Sequence, residues 1–149
     1  MATKTKLPTF SKTMNDPNNP FEASALTTIL VVTELSRSKQ FYVDVLGATL
    51  FREYGEDSVV LEFLGNWILL VTAGGPTEDK PTILFEPAKN KDSVSHSFTI
   101  RVKDCQRSYE LLKTRGAEFI TPPFTRGAET RCFFRDPDGH LFEISEYRS

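Results

Sequence analysis

The sequence predicts an α+β fold of two tandem βαβββ modules, and three observations carry that reading. Each half of the chain offers one segment of helical period followed by three segments of strand character. The two halves match each other at a shift of about 70 residues. A polar connector rich in Gly, Pro, Lys and Asp lies between them.

The 149 residues suit one domain, or two small modules sharing a core. Eighteen basic against twenty acidic side chains give a net charge of −2, which leaves no electrostatic footprint for nucleic acid or an anionic membrane. A hydrophobic content of 39%, with twelve Phe, is enough to build a core without staples. No apolar run approaches the roughly 18–20 residues that span a bilayer, and the start MATKTKLPTF lacks the apolar stretch of a signal peptide. A soluble, cytoplasmic protein is expected. Cys105 and Cys132 show no metal-like spacing, so both are expected as reduced thiols filling the core.

Residues 1–24 carry Pro8, Pro17, Pro20 and the Asn15, Asn18, Asn19 cluster without hydrophobic period, and are expected to form a mobile or surface-draped extension. The first module, residues 25–72, opens on LTTILVV, a short β-branched run suited to a strand covered on both faces. Ser36 is the expected N-cap of a helix bearing Phe41, Tyr42, Val45 and Leu46, with Gly47 just past its end. The strands ATLFREY, SVVLEF and WILLVT follow, separated by Gly55-Glu56-Asp57 and Leu64-Gly65-Asn66. The connector, residues 73–95, holds one strand-like run, Thr82 to Phe85. The second module, residues 96–149, runs from the strand SFTIRV to a helix capped by Asp104 and stopped by Gly116, and then through AEFIT, TRCFFR and LFEISEY. Asp136-Pro137-Asp138-Gly139 reads as a turn, with His140 as a surface residue after it.

The repeat fixes the alignment of the modules. Val31–Ser38 falls on Arg101–Ser108 at a shift of 70, Gly47-Ala48 on Gly116-Ala117 at 69, and Gly65-Asn66 on Gly139-His140 at 74.

Two consecutive βαβββ units, with SRSKQFYVDVLG in the first and FFRDPDGHLFEI in the second, resemble the vicinal oxygen chelate superfamily of glyoxalases, bleomycin- and fosfomycin-resistance proteins and ring-cleaving dioxygenases. The resemblance covers residues 26–147 and implies an eight-stranded, cup-shaped open barrel in a homodimer. It says little about the reaction, because the scaffold hosts several chemistries. In that family a divalent metal sits in the cup, held from the first and last strand of each module. Carried over, those four positions are Thr27, Leu69, Ser97 and Glu143. Two hydroxyls and a Leu do not supply the three or four strong donors that a transition metal needs, so no metal or other cofactor is expected. His96 reaches the Ser97 position only if a bulge breaks the strand; in a regular strand it points to the opposite face.

Strand parity then gives the lining of the cup. Thr27, Ile29, Trp67 and Leu69 form an apolar, aromatic half; Ser97, Thr99, Arg101 and Glu143 form a polar half, in which Arg101, Ser97 and Thr99 are expected to compensate Glu143. The expected function is binding of a small amphipathic molecule without a metal, as in the bleomycin-resistance branch. The alternative is a lyase, isomerase or dioxygenase, either metal-dependent or using Glu143 as its base. A third reading is a structural or regulatory dimer with an occluded cup.

Overall fold

The computed structural model describes residues 16–21 and 25–149. Most of the expected N-terminal extension therefore lies outside the described residues. Two mixed sheets, each backed by one helix, make up the fold. In the first, β1 (Thr27–Val32) pairs parallel with β4 (Asn66–Thr72), followed antiparallel by β3 (Ser58–Phe63) and β2 (Thr49–Tyr54), in the order β1-β4-β3-β2. In the second, β5 (Phe98–Arg101) pairs parallel with β9 (Leu141–Tyr147), then β8 (Glu129–Arg135), then β6 (Glu118–Phe119). The registers confirm the repeat: Ile29 lies opposite Leu69, and its counterpart Thr99 lies opposite Glu143.

Helix α1 (Leu35–Gln40) continues through a π-helical turn, Phe41–Val45, in which Leu46 N–H reaches Phe41 O at 3.2 Å. The N-cap is Glu34, not Ser36, and it has no side-chain capping bond; the chain turns helical two residues before the hydroxyl could cap it. Helix α2 (Cys105–Thr114) is capped as expected, Asp104 accepting from Arg107 N–H at 3.0 Å. Gly116 follows it at φ +102°, a conformation that excludes most side chains.

Two strand expectations are corrected. Thr82–Phe85 is not a strand: only Phe85 pairs, in a single bridge to Gly74, and Pro81 precedes a segment that finds no sheet edge. The strand expected at AEFIT ends at Phe119, and a further strand, β7 (Phe124–Arg126), pairs with β8 beyond it. Pro122-Pro123 removes two consecutive N–H donors and interrupts what would otherwise be one strand. β6 and β7 thus share one edge of β8, and the eight-strand plan survives as nine segments.

Alternation along the strands separates a buried helix face from an open face. Leu30, Val32, Val59, Leu61, Ile68 and Leu70 are buried beneath α1, and Cys132, Phe134, Phe142 and Ile144 beneath α2. Phe98, Phe142 and Phe134 stack at centroid spacings of 4.8 and 5.2 Å, and Tyr42 meets Phe142 edge-on at 6.1 Å, so one core spans both modules. The two thiols sit in this core with their Sγ atoms 4.0 Å apart; burial pushes Cys105 up and Cys132 to about 12, so both are inert. Among the described residues, no helix is long and apolar enough to cross a membrane.

The 136–139 turn is more than a turn. Asp138 is buried and accepts from Thr33 N–H at 3.0 Å, Thr33 Oγ1 at 2.5 Å and Ser38 Oγ at 3.3 Å, all from the first module. Asp136, also buried, accepts from Tyr42 OH at 2.8 Å and from the N–H groups of Asp138 and His140. His140 is half-buried, not a surface residue: its Nε2 lies 2.9 Å from Val31 O, because the turn folds back on the end of β1. Burial raises the Asp136 carboxyl against the lowering effect of these partners, and raises Tyr42 well above a free phenol, aided by the Asp136 charge.

Tyr42→Phe removes one donor from a buried carboxylate and is expected to destabilise the fold by about 1–3 kcal/mol at pH 7, measured by urea unfolding. Asp136 takes its proton in the fold at higher pH than in the unfolded chain. Its unfavourable ionised contribution is therefore full above the folded pKa and relieved below it. The Tyr42→Phe deficit should accordingly shrink as pH falls through that raised pKa toward the ordinary aspartate range near about 4.

Candidate functional site

The open face of the first sheet carries an apolar concavity. Thr27 and Ile29 from β1 and Trp67 and Leu69 from β4 meet there, as parity predicts, in a depression of about 500 Å3. Phe51 and Tyr54 of β2 and Val60 of β3 complete it. Phe51 owes its place to a bulge, since the β2–β3 register slips between Leu50 and Arg52, and its ring meets Trp67 edge-on at 4.9 Å. Sequence parity misses this residue because a bulge resets the period; Val60 was legible, standing opposite Leu69.

The open face of the second sheet is polar. Arg101 Nη1 donates to Ser145 Oγ at 2.6 Å, and that hydroxyl donates to Glu129 Oε1 at 2.9 Å. Arg131 approaches the same carboxylate at 3.9 Å while its guanidinium lies over the Phe133 ring. Ser145 itself is fully buried. Glu143 is half-buried between Thr99 and Phe133 on the neighbouring strands, and among the described residues no hydrogen bond or ion pair holds it. The expected Glu143–Arg101 cluster is therefore not formed. Register explains this: Arg101 stands opposite Ser145, two residues past Glu143, and takes the nearer hydroxyl. Glu129 was missed because it opens β8 opposite Tyr147, at the far end of the strand from the DPDG motif.

The four positions carried over from the family do not share one of these cavities. Thr27 and Leu69 line the apolar depression, whereas Ser97 and Thr99 line a separate crevice of about 310 Å3 with Thr28, Asn66 and Phe142. His96 packs edge-on against Phe98 and lies 6.3 Å from the His140 ring; His96 and Ser97 both precede β5, which begins at Phe98, so neither stands in the regular strand that the expectation assumed.

The sequence model of the Glyoxalase/Bleomycin resistance protein/Dioxygenase superfamily matches residues 24–144. This chain belongs to that superfamily. A lactoylglutathione lyase of Haemophilus influenzae is 30% identical over 129 residues, 83% of this chain and 93% of the lyase. The fold is shared with a crystal structure of a glyoxalase/bleomycin resistance protein/dioxygenase from Alicyclobacillus acidocaldarius (TM-score 0.62, 23% identity, 91% of this chain and 96% of that one). It is shared also with FosX, a fosfomycin resistance protein from Listeria monocytogenes (TM-score 0.62, 17% identity, 86% and 96%).

A superfamily metal does not fit the donors present. Thr27, Leu69 and Ser97 offer two neutral hydroxyls and a hydrocarbon, and Glu143 alone offers charge. Among the described residues, no three of His, Cys, Asp and Glu gather as a metal-holding group. What the arrangement can do is bind: a flat apolar wall on one sheet, and on the other an arginine–serine–glutamate chain beside an uncommitted carboxylate.

Since Glu143 holds no partner among the described residues, Glu143→Ala should change stability by no more than about 0.5 kcal/mol. Ser145→Ala, which severs the chain from Arg101 to Glu129, should cost about 1 kcal/mol. Urea unfolding of both variants checks the ordering.

Proposed function

We propose that this superfamily member binds a small amphipathic molecule against its open sheet faces without using a metal. The observation that carries the reading is the division of those faces: Trp67, Ile29, Leu69 and Phe51 on one, Arg101, Ser145 and the unpartnered Glu143 on the other. A ligand with a flat apolar body would stack on Trp67 in the depression, where Thr27 and Ser58 offer hydroxyls, while Arg101 and Glu143 offer polar contacts on the other face. Glu143 can accept a ligand hydrogen bond because no side chain among the described residues occupies it.

The reading includes a homodimer in the cytoplasm, with no nucleic-acid or membrane partner. Edge strand β2 leaves Leu50 exposed, and a second copy would cover the outer edge of this strand. The two inert thiols in the core suit a reducing compartment.

A lyase, isomerase or dioxygenase is the second reading, favoured by the 30% identity to a lactoylglutathione lyase. Here Glu143 would act as general base.

Trp67 is the only tryptophan, so its fluorescence reports directly on the apolar depression. Anilinonaphthalenesulfonate, an aromatic body with one anionic group, is expected to quench Trp67 saturably and raise the melting temperature. Leu69→Glu should weaken that response about tenfold or more, while Glu143→Gln should shift it only modestly. Absence of any saturable quenching would overturn the binding reading. The protein purified without added metal is expected to carry well below one equivalent of any transition metal by elemental analysis. A full equivalent would overturn the metal-free assignment and restore the enzyme reading.

Sedimentation at micromolar concentration should give about twice the 16.9 kDa chain mass, and a monomer throughout would remove the dimer.

A further inference from the structure

The bulge in β2 sets two consecutive side chains on one face of the first sheet. Leu50 stands opposite Leu61 and Arg52 opposite Val60, so Phe51 is the extra residue. Val60 lines the apolar depression, and residues directly opposite on paired strands share a face. Arg52 therefore leaves β2 on the open side, beside Phe51 and in phase with Tyr54, which stands opposite the lining residue Ser58. In an unbroken strand Phe51 and Arg52 would point to opposite faces. The bulge thus joins an aromatic ring and a guanidinium at one rim of the depression.

Among the described residues, every side chain lining that depression is uncharged, and Phe51, Tyr54 and Trp67 give it three rings. Arg52 Cζ lies 5.8 Å from the centroids of both Phe51 and Tyr54, so two lining rings bracket the guanidinium. Among the described residues it makes no hydrogen bond or ion pair, which leaves its planar set of donors open. The nearby carboxylates are turned elsewhere. Glu53 stands opposite the buried Val59, on the helix face, and pairs with Lys39. Glu56 lines a cavity beside α1 together with Glu53 and Lys39. Glu62, opposite Trp67 on the open face, accepts from Gly65 N–H at 2.9 Å in the turn that follows β3. On the second sheet, Arg101 is already engaged by Ser145.

We infer that the depression selects a flat aromatic carboxylate, with Arg52 as the residue that reads the acid group. The inference rests on the amphipathic binding proposed above and names the ligand class. The ring would lie against Trp67 and Phe51, where uncharged walls offer nothing to an ionised group. The carboxylate would project to the rim and accept two parallel N–H bonds from the Arg52 fork. The same guanidinium repels an aromatic amine, and a neutral aromatic of equal size gains only the stacking. Polar recognition then lies on the same face as the apolar wall, and no ligand needs to span both sheets.

Titration calorimetry of the full chain at pH 7 tests this, with 2-naphthoate as the acid and 2-naphthalenemethanol as its neutral counterpart. The wild type should bind 2-naphthoate saturably and at least about fivefold more tightly than the alcohol. That preference should shrink as sodium chloride is raised, because a charge at an exposed rim is screened. Arg52→Gln, at an exposed side chain, should leave the unliganded melting temperature unchanged, weaken 2-naphthoate about fivefold and leave the alcohol within about twofold of its wild-type affinity. Leu69→Glu should weaken both probes, since it sets a charge in the apolar wall they share. Probes that still bind Leu69→Glu as tightly as the wild type lie outside the depression and overturn the assignment. If the alcohol binds as tightly as the acid, or Arg52→Gln keeps the wild-type preference, this inference falls while the amphipathic site stands. If neither probe binds the wild type, the amphipathic site falls with it.

Discussion

Two buried carboxylates on one tight turn hold the molecule together. Ionised groups that leave water must find donors, and Asp136 and Asp138 find most of theirs in the other half of the chain: Thr33, Ser38 and Tyr42. The modules share a continuous core, but the non-directional packing of Tyr42 on Phe142 would allow them to slide. Hydrogen bonds to fixed carboxylate oxygens do not. The turn therefore sets the angle and register at which one module meets the other, with His140 on Val31 O as a third point of attachment. Removing donors from such a turn costs more than the bonds are worth, since the charge stays buried.

That fixed relation decides what each face of each sheet can be used for. The helix faces are consumed by the core, down to two thiols too deeply buried to react. The open faces are left with chemistry instead of packing, and they differ because the repeat has diverged within a conserved register. Leu69 and Glu143 occupy equivalent places, opposite Ile29 and Thr99. One pair presents hydrocarbon and the other a hydroxyl beside a carboxylate. The superfamily scaffold is present, while Thr27, Leu69, Ser97 and Glu143 together do not make a transition-metal donor set. The similarity to lactoylglutathione lyases is one of sequence and family, and it does not by itself carry a reaction to this chain.

How much of this was legible in the sequence follows from the range of the interactions involved. Element order, the Asp104 cap, the Gly47 and Gly116 stops and the two-sheet plan depend on neighbours within a few residues, and all were readable. The apolar lining from Thr27, Ile29, Trp67 and Leu69 was readable too, because an unbroken strand transmits parity along its length. Parity failed at Phe51, where a bulge shifts the count by one, and at β6 and β7, where Pro122-Pro123 splits a strand whose halves still share one edge.

The sequence by itself determined the fold class, the family and the alternation that makes one open face apolar and the other polar. These are properties of local period and of an internal repeat, and they survive without knowledge of any long-range contact. Only the tertiary structure decided which polar groups are partnered. Arg101 serves Ser145 and not Glu143, His140 is drawn in against Val31, and the DPDG segment is a latch between modules as well as a turn. Each of these outcomes turns on an atom one strand step or about a hundred residues away. At that separation a linear pattern carries no distance, whereas a hydrogen bond is made or lost within a few tenths of an ångström.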